Sequence, residues 1–467
     1  MCFYINTKIM INFRFLFFCI SIITVFSCSK DSVSDQNVLD EKSIIEESLP
    51  AKEGIVSELS FYEGSIVFNF SGEYVVGQFA NGDYWVHNNG NDVVITDIYP
   101  ASITTPTGRI INGTMLNPAN LNDQGYDSEA RDMNYEASLN KDPGILKENL
   151  VVAPNTSVVK SISKESNEGR PIIKDAVVLT ILKETPLEGS FRPPYTGNDK
   201  TIVATINDLN YSTLGSFNRL GNEPDIVEVE ADFERVWLEH NTEWTQRDIH
   251  PENNMPAYGR DIADASGRGL ILLQLNYTNA EKEKLLIGMV QYGLDIFGVA
   301  KNGGIWYNNG GHNLGRKMPL LLAGKVLNNS EMLSYADKEK HFIFQDDQQH
   351  FYVSQQDVDL TNSDAWAADD RADLTPYSTT DIGMAEWGIR HADKPEADNA
   401  NWGASYRHVV GAAQFSHILA ANLMDVKEAW NWTPVFNYME RYYELEKTGE
   451  LENNKYQTDL WETYVIN

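Results

Sequence analysis

The sequence predicts an α+β fold, in which a β-rich N-terminal region precedes an (α/α) toroid-like helical domain. Two observations carry this prediction. Up to about residue 185 apolar and polar residues alternate, and beyond it apolar residues recur every three to four positions, so the side-chain period passes from that of a strand to that of a helix. Several of the later segments are apolar on most faces, which suits helices surrounded by other helices. A chain of 467 residues, 42% of them hydrophobic, can bury both regions and still present a cleft.

At the N-terminus, NFRFLFFCISIITVFSC has a short basic start (Lys8, Arg14), a long apolar core and then Val25-Phe26-Ser27-Cys28. That order predicts a secretory signal over residues 1–27 whose end has the form of a bacterial lipobox, with Cys28 as the lipidated first residue of the mature chain. The expected location is an outer-membrane lipoprotein, at the cell surface or in the periplasm, attached through Cys28. The three cysteines, Cys2, Cys19 and Cys28, all lie in this segment, so the mature chain keeps no thiol for a disulfide, a nucleophile or a metal. Residues 28–55 are polar and acidic and read as a flexible tether.

Residues 56–185 form the predicted β-rich region. SIVFNFSGEYVVGQFANGDYWV alternates around Ser71-Gly72 and Asn81-Gly82-Asp83, both read as hairpin turns, and DVVITDIYP, NLVVAPNTSVVKSI and DAVVLTILKE repeat the β-branched theme. Residues 186–467 form the predicted toroid-like domain. Helical spacing is found in PDIVEVEADFERVWLEH, RDIADASGRGLILLQLN, AEKEKLLIGMVQYGLDIFGVAK, LGRKMPLLLAGKVLN, SYRHVVGAAQFSHILAANLM and WTPVFNYMERYYELEK.

The loops between these segments concentrate polar and aromatic side chains. They carry Arg192 and Tyr195; His250, Asn253, Asn254, Tyr258 and Arg260; Trp306 and His312; Trp387, Arg390 and His391; and Trp402, Tyr406, Arg407 and His408. Rings stack on pyranose faces while amides and forked cations meet hydroxyls and carboxylates, so this mixture suits a sugar-binding cleft. In NNGGHNLGRKMPLLLAG, His312 and Arg316 stand four apart beside Lys317; if both are helical they share one face at a helix N-terminus, a place that favours anions. The alternative is that His312 satisfies a backbone carbonyl and Arg316 pairs with one of the many acids. Likewise Tyr258 and Arg260 serve either function or packing, with Arg260 pairing Asp264. A helix starting near Ala404 would place Tyr406 with Val410, Ala413 and His417, and a tyrosine beside Arg407 and His408 has the surroundings of an acid or base.

Charge and motif exclude other classes. With 67 acidic against 37 basic residues the net charge is -30, which argues against a nucleic-acid partner. No HExxH, Cys ligand set, Asp-rich calcium loop, GxSxG, P-loop or dinucleotide fingerprint is present, so no metal or cofactor is expected. A glycoside hydrolase would need two carboxylates flanking the bond, for which Asp248, Asp261, Asp381 and Glu386 are available.

Taken together, GQFANGDYWV, NGTMLNP with QGYDS, SFRPPYTGNDK, HPENNMPAYGRD and GGHNLGRKMPLLLAG resemble a group of secreted bacterial polysaccharide lyases, the ulvan lyases of algal-polysaccharide utilisation systems. The resemblance runs from about residue 60 to 425. It implies β-elimination on a uronate-containing polysaccharide, most closely ulvan: the uronate carboxylate is neutralised, a base removes the C5 proton and an acid protonates the leaving oxygen on C4. Toroid lyases use Asn with His or Arg at the carboxylate and Tyr or His as base and acid. That implies His312, Arg316 and Asn254 at the carboxylate and Tyr258 or Tyr406 as base and acid. Arg192, Tyr195, His250, Arg260, Trp306, Lys317, Trp402, Arg407 and His408 would bind the anionic chain. The sequence departs from the alginate lyases of this fold in lacking a contiguous Asn-His pair. The alternatives are a toroid-type glycoside hydrolase and a non-catalytic glycan-binding surface lipoprotein.

Overall fold

The computed structural model describes residues 54–364, 376–388 and 406–466, with the side chains of 406–409 outside the description. The signal segment, most of the tether and the lipidation site at Cys28 therefore lie outside the described residues, as do Trp402, Arg390 and His391.

The N-terminal region builds an eight-stranded sheet from β1 (Gly54–Phe61), β2 (Ile66–Gln78), β3 (Tyr84–His87), β4 (Val93–Tyr99), β5 (Thr114–Leu116), β6 (Leu150–Val152), β7 (Thr156–Ser163) and β8 (Ile173–Leu182). Their spatial order is β6-β4-β2-β3-β8-β7-β5, with β1 added to β2. All neighbours are antiparallel except β3 and β8, which run parallel with Leu179 opposite Tyr84. The turn at Asn81-Gly82 joins β2 to β3 as expected, with Gly82 at φ 85°. Ser71-Gly72 does not make a hairpin. Strand β2 runs straight through it, and β1 skips from Val56 opposite Tyr74 to Glu58 opposite Asn69, so the extra residues Phe70–Glu73 form a bulge. Polar Ser71, Gly72 and Glu73 are all exposed there, which is why the stretch carries the composition of a turn without reversing the chain.

Period-two alternation gives the sheet two apolar faces. Val177, Leu179 and Ile181 of β8 join Ile66, Phe68 and Ile95 on one side. Ala176 and Val178 join Met115 and Val159 on the other, where later residues Tyr195, Val236, Leu238 and Ile249 complete the cluster. This explains a second departure from the sequence reading. In PDIVEVEADFERVWLEH only Ile226–Ala231 is helical; beyond it Val236 and Leu238 face the sheet cluster while Trp237 enters the helical core, a strand-like alternation imposed by two flanking cores.

The remaining helical expectations hold. The chain forms α1 (Gly259–Leu272), α2 (Asn279–Lys301), α3 (Lys317–Val326), α4 (Ser330–Ala336), α5 (Tyr406–Leu423), α6 (Thr433–Glu446) and α7 (Lys455–Tyr464). A capping box between Thr278 and Glu281 starts α2, and Pro434 sits in the first turn of α6. Helix α2 packs on α3, α3 on α4, and α5 returns onto α1 and α6. Leu320, Leu321 and Leu322 are all fully buried, so α3 is apolar on every side and each leucine contributes about 1.5–3 kcal/mol of burial. The chain from Ser48 onward is one compact unit, and Arg192 ties sheet to helices: its guanidinium bonds Asp83 in the β2–β3 turn at 2.6 Å and Asp295 of α2 at 2.5 and 3.0 Å. None of the helices among the described residues is long and apolar enough to cross a membrane.

Candidate functional site

Three separated segments meet at the N-terminus of α1: the short helical turn Trp244–Asp248, the α1 entrance at Tyr258, and the loop 308–315. They can meet because of two glycines. A Cβ on Gly259 would lie 1.9 Å from the His312 carbonyl oxygen, and one on Gly311 would lie 2.8 Å from the Tyr258 hydroxyl. At Gly259 only hydrogen fits, so backbone packs directly on backbone, and at Gly311 the missing side chain lets the Tyr258 ring close on the loop.

The result is a close polar and aromatic cluster. The His312 ring meets the Tyr258 ring edge to face at 4.8 Å and the Trp244 ring at 6.1 Å. The Tyr258 hydroxyl accepts the Gly311 N–H at 3.2 Å. The loop is held from beneath: Gln246 donates to the His312 carbonyl and to Asn313, Gln345 accepts the N–H groups of Asn309 and Asn313, and Asp346 accepts that of Gly315. His312 is thus set on a pinned loop at the surface of the helical core.

Three arginines surround these rings. Arg247 lies over Trp244 at 5.4 Å, Arg170 over the same ring at 5.9 Å and Arg260 over Tyr258 at 5.5 Å. Arg170 is committed to Asp132 and to Asp248, and Arg260 to Asp261 at 2.7 Å rather than to Asp264. Arg247 makes no ion pair among the described residues, and its Nε is buried without a hydrogen-bond partner. Burial and the neighbouring Arg170 push its pKa below the usual guanidinium range, outweighing the opposite pull of Asp248.

Of the residues expected to form the site, His312, Tyr258 and Arg260 come together here. The others are placed elsewhere. His312 and Arg316 do not share a helical face, because α3 begins only at Lys317 and Arg316 is its cap. Arg316 is fully buried and holds the protein's own carboxylate, Glu239, at 3.0–3.2 Å, with Tyr292 on the same oxygen pair. Lys317 is equally buried on Asp347 and the Trp430 carbonyl. A cation already matched to a buried carboxylate has no charge left for a ligand. Arg192 is the buried clamp described above. Tyr195 is buried, its hydroxyl accepting the Glu239 N–H at 2.6 Å, and burial raises its pKa well above 10. His250 is buried, donates to the carbonyls of Pro256 or Ala257, and is pushed by burial, with Arg316 adding to it, down to about 3. Trp306 stacks on Phe344 in the core, and the Asn254 amide donates to the Asp232 and Arg235 carbonyls. Tyr406, Arg407 and His408 open α5 with side chains outside the description.

Trp244, Arg247 and Arg170 are site residues that the sequence reading missed. EWTQRD, just ahead of the HPENN loop, carries the same mixture of aromatic, amide and cation as the segments chosen. The carboxylates considered for hydrolysis are each engaged: Asp248 with Arg170, Asp261 with Arg260, Glu386 with Arg441, and Asp381 as the capping residue of a short turn. Among the described residues no group of three or more His, Cys, Asp or Glu is arranged to hold a metal ion. Comparison with protein-family models, with curated proteins and with solved structures finds no match.

Proposed function

We propose that the Arg247, Tyr258 and His312 cluster is the catalytic centre of a lyase that cleaves a uronate-containing anionic polysaccharide by β-elimination. The observation that carries this reading is Arg247: a guanidinium that makes no ion pair among the described residues and keeps a buried Nε without a hydrogen-bond partner, beside a tyrosine and a histidine, in a protein whose net charge is -30. Such a cation confines positive potential to one spot of an otherwise acidic molecule, where an anionic substrate gains most from it.

In this scheme Arg247 and His312 face the uronate carboxylate. Neutralising the carboxylate acidifies the C5 proton. Tyr258 takes that proton, the C5–H electron pair becomes the C4–C5 double bond, and the C4–O bond breaks. The leaving oxygen then receives the proton from Tyr258. Negative charge on the Tyr258 oxygen is supported by the Gly311 N–H and by Arg247. Arg247 takes the place that the sequence reading gave to Arg316.

The helices are proposed to belong to an (α/α) toroid, a reading supported by the serial packing of α2, α3 and α4 and the return of α5 onto α1. Lipidation at Cys28 would hold the protein at the outer membrane. The test is to incubate purified protein with ulvan, glucuronan and alginate while following the ultraviolet absorbance of the unsaturated uronate. Rising absorbance on one of them supports the lyase; new reducing ends without absorbance support a hydrolase, and glycan retention without cleavage a binding protein.

A further inference from the structure

A cleft lies close to the cluster along the chain. Its cavity volume is about 290 Å³, and its walls include Asn120, Asn122, Asn241, Thr242, Glu243 and Tyr307. It is continuous with the cluster through the backbone. Glu243 immediately precedes Trp244, and the Tyr307 carbonyl accepts the side-chain N–H of Asn313, the residue after His312.

The polar atoms of this cleft form a locked frame. The Asn120 carbonyl oxygen accepts both the N–H and the hydroxyl of Thr242 at 3.1 Å. The Asn122 carbonyl oxygen accepts Thr245 Oγ1 at 2.6 Å and an Asn241 N–H at 3.4 Å. Asn241 spends its second N–H on Thr245, and its carbonyl oxygen accepts the Glu243 N–H at 2.8 Å. Asn120 and Asn122 each use one amide N–H on a backbone carbonyl, of Gly303 and Asp132. An amide offers two N–H donors and two lone pairs, so one donor remains on each of Asn120 and Asn122, and one acceptor on Asn241. Glu243 supplies further acceptors, while Tyr307 (50% exposed) and Leu121 (51% exposed) supply an apolar rim.

Fixed donors and acceptors beside an exposed ring match a pyranose, whose hydroxyls both donate and accept and whose C–H face stacks on aromatic surface. Among the described residues the charged side chain in the lining is an acid, Glu243, so a carboxylate or sulfate would be repelled where the Arg247 cluster attracts it. We infer that this cleft is a subsite for an uncharged sugar unit next to the uronate, so the preferred substrate is a heteropolymer in which charged and neutral residues adjoin. The inference rests on the catalytic reading above, and its test keeps the two apart.

The probes are glucuronan, in which every unit is charged, and chemically desulfated ulvan, in which uronates adjoin neutral sugars. Wild-type protein is expected to favour desulfated ulvan. Tyr307→Ala, at a half-exposed position, should raise KM on it about tenfold with kcat nearly unchanged, and Glu243→Gln should narrow the preference over glucuronan. Calorimetric binding of desulfated ulvan oligosaccharides provides the readout without turnover. Binding that Tyr307→Ala weakens about tenfold supports the subsite even if no polymer is cleaved, in which case the lyase reading alone fails. Cleavage of uronate polymers with KM, binding and substrate preference unmoved by both variants overturns the subsite and leaves the lyase. Absence of any binding overturns it as well.

Discussion

The Tyr258 ring stands edge-on to the His312 imidazole, with centroids 4.8 Å apart and planes at 85°. The two residues are distant in sequence, and their meeting depends on Gly259, whose missing side chain admits the His312 carbonyl. Gly259→Ala is therefore expected to displace the 308–315 loop. A methyl group driven onto a backbone oxygen costs about 1–3 kcal/mol, and because the collision is at the site, activity should fall further than the melting temperature suggests. Thermal unfolding with turnover measured on the same preparation checks this, and an Ala variant with normal turnover would show that the contact does not position the site.

Two arginines separate function from stability. Arg316 is buried against Glu239, so Arg316→Ala leaves an uncompensated buried carboxylate and should destabilise the fold by about 3–5 kcal/mol. Arg247 carries no such pairing among the described residues, so Arg247→Ala should leave stability within about 1 kcal/mol of wild type while turnover drops on the order of a hundredfold. Urea denaturation and initial rates distinguish the two; equal destabilisation by both substitutions would contradict the assignment of Arg247 to a ligand.

Buried histidines set the acid limit of the fold. Burial lowers His240, His250 and His350 to about 3 and His417 to about 4. These groups stay neutral when folded and take up protons near pH 6.5 when unfolded. Their contribution is complete above about pH 6.5 and is lost as the pH falls toward 3–4, each worth at most about 2 kcal/mol at pH 5. Denaturation midpoints measured from about pH 7 down to 4.5 should fall steadily, and a flat profile would mean the imidazoles are accessible to protons in the folded state.

Elements governed by local periodicity were legible in the sequence. Strands with alternating burial and helices such as α2 and α3 follow from spacing alone, because the core they face demands it. The bulge at Ser71-Gly72 was not, since a bulge and a turn draw on the same residues and differ only in what the neighbouring strand does. The site was half legible for a related reason. His312, Tyr258 and Arg260 stood out by type and by the glycines near them, but whether an arginine is free depends on partners far along the chain. Glu239, which consumes Arg316, lies 77 positions away, whereas Arg247 sits in a short turn with no periodic signal and is exceptional because it makes no ion pair among the described residues.

The most direct measurement of the central claim is cleavage of ulvan, glucuronan and alginate in water enriched in heavy oxygen, with products weighed by mass spectrometry and Arg247→Ala run in parallel. The account predicts that wild type releases fragments whose non-reducing end is an unsaturated uronate without added heavy oxygen, because no water attacks the sugar, and that Arg247→Ala releases almost none. Saturated fragments that have gained the elements of water, or undiminished release by Arg247→Ala, would contradict it.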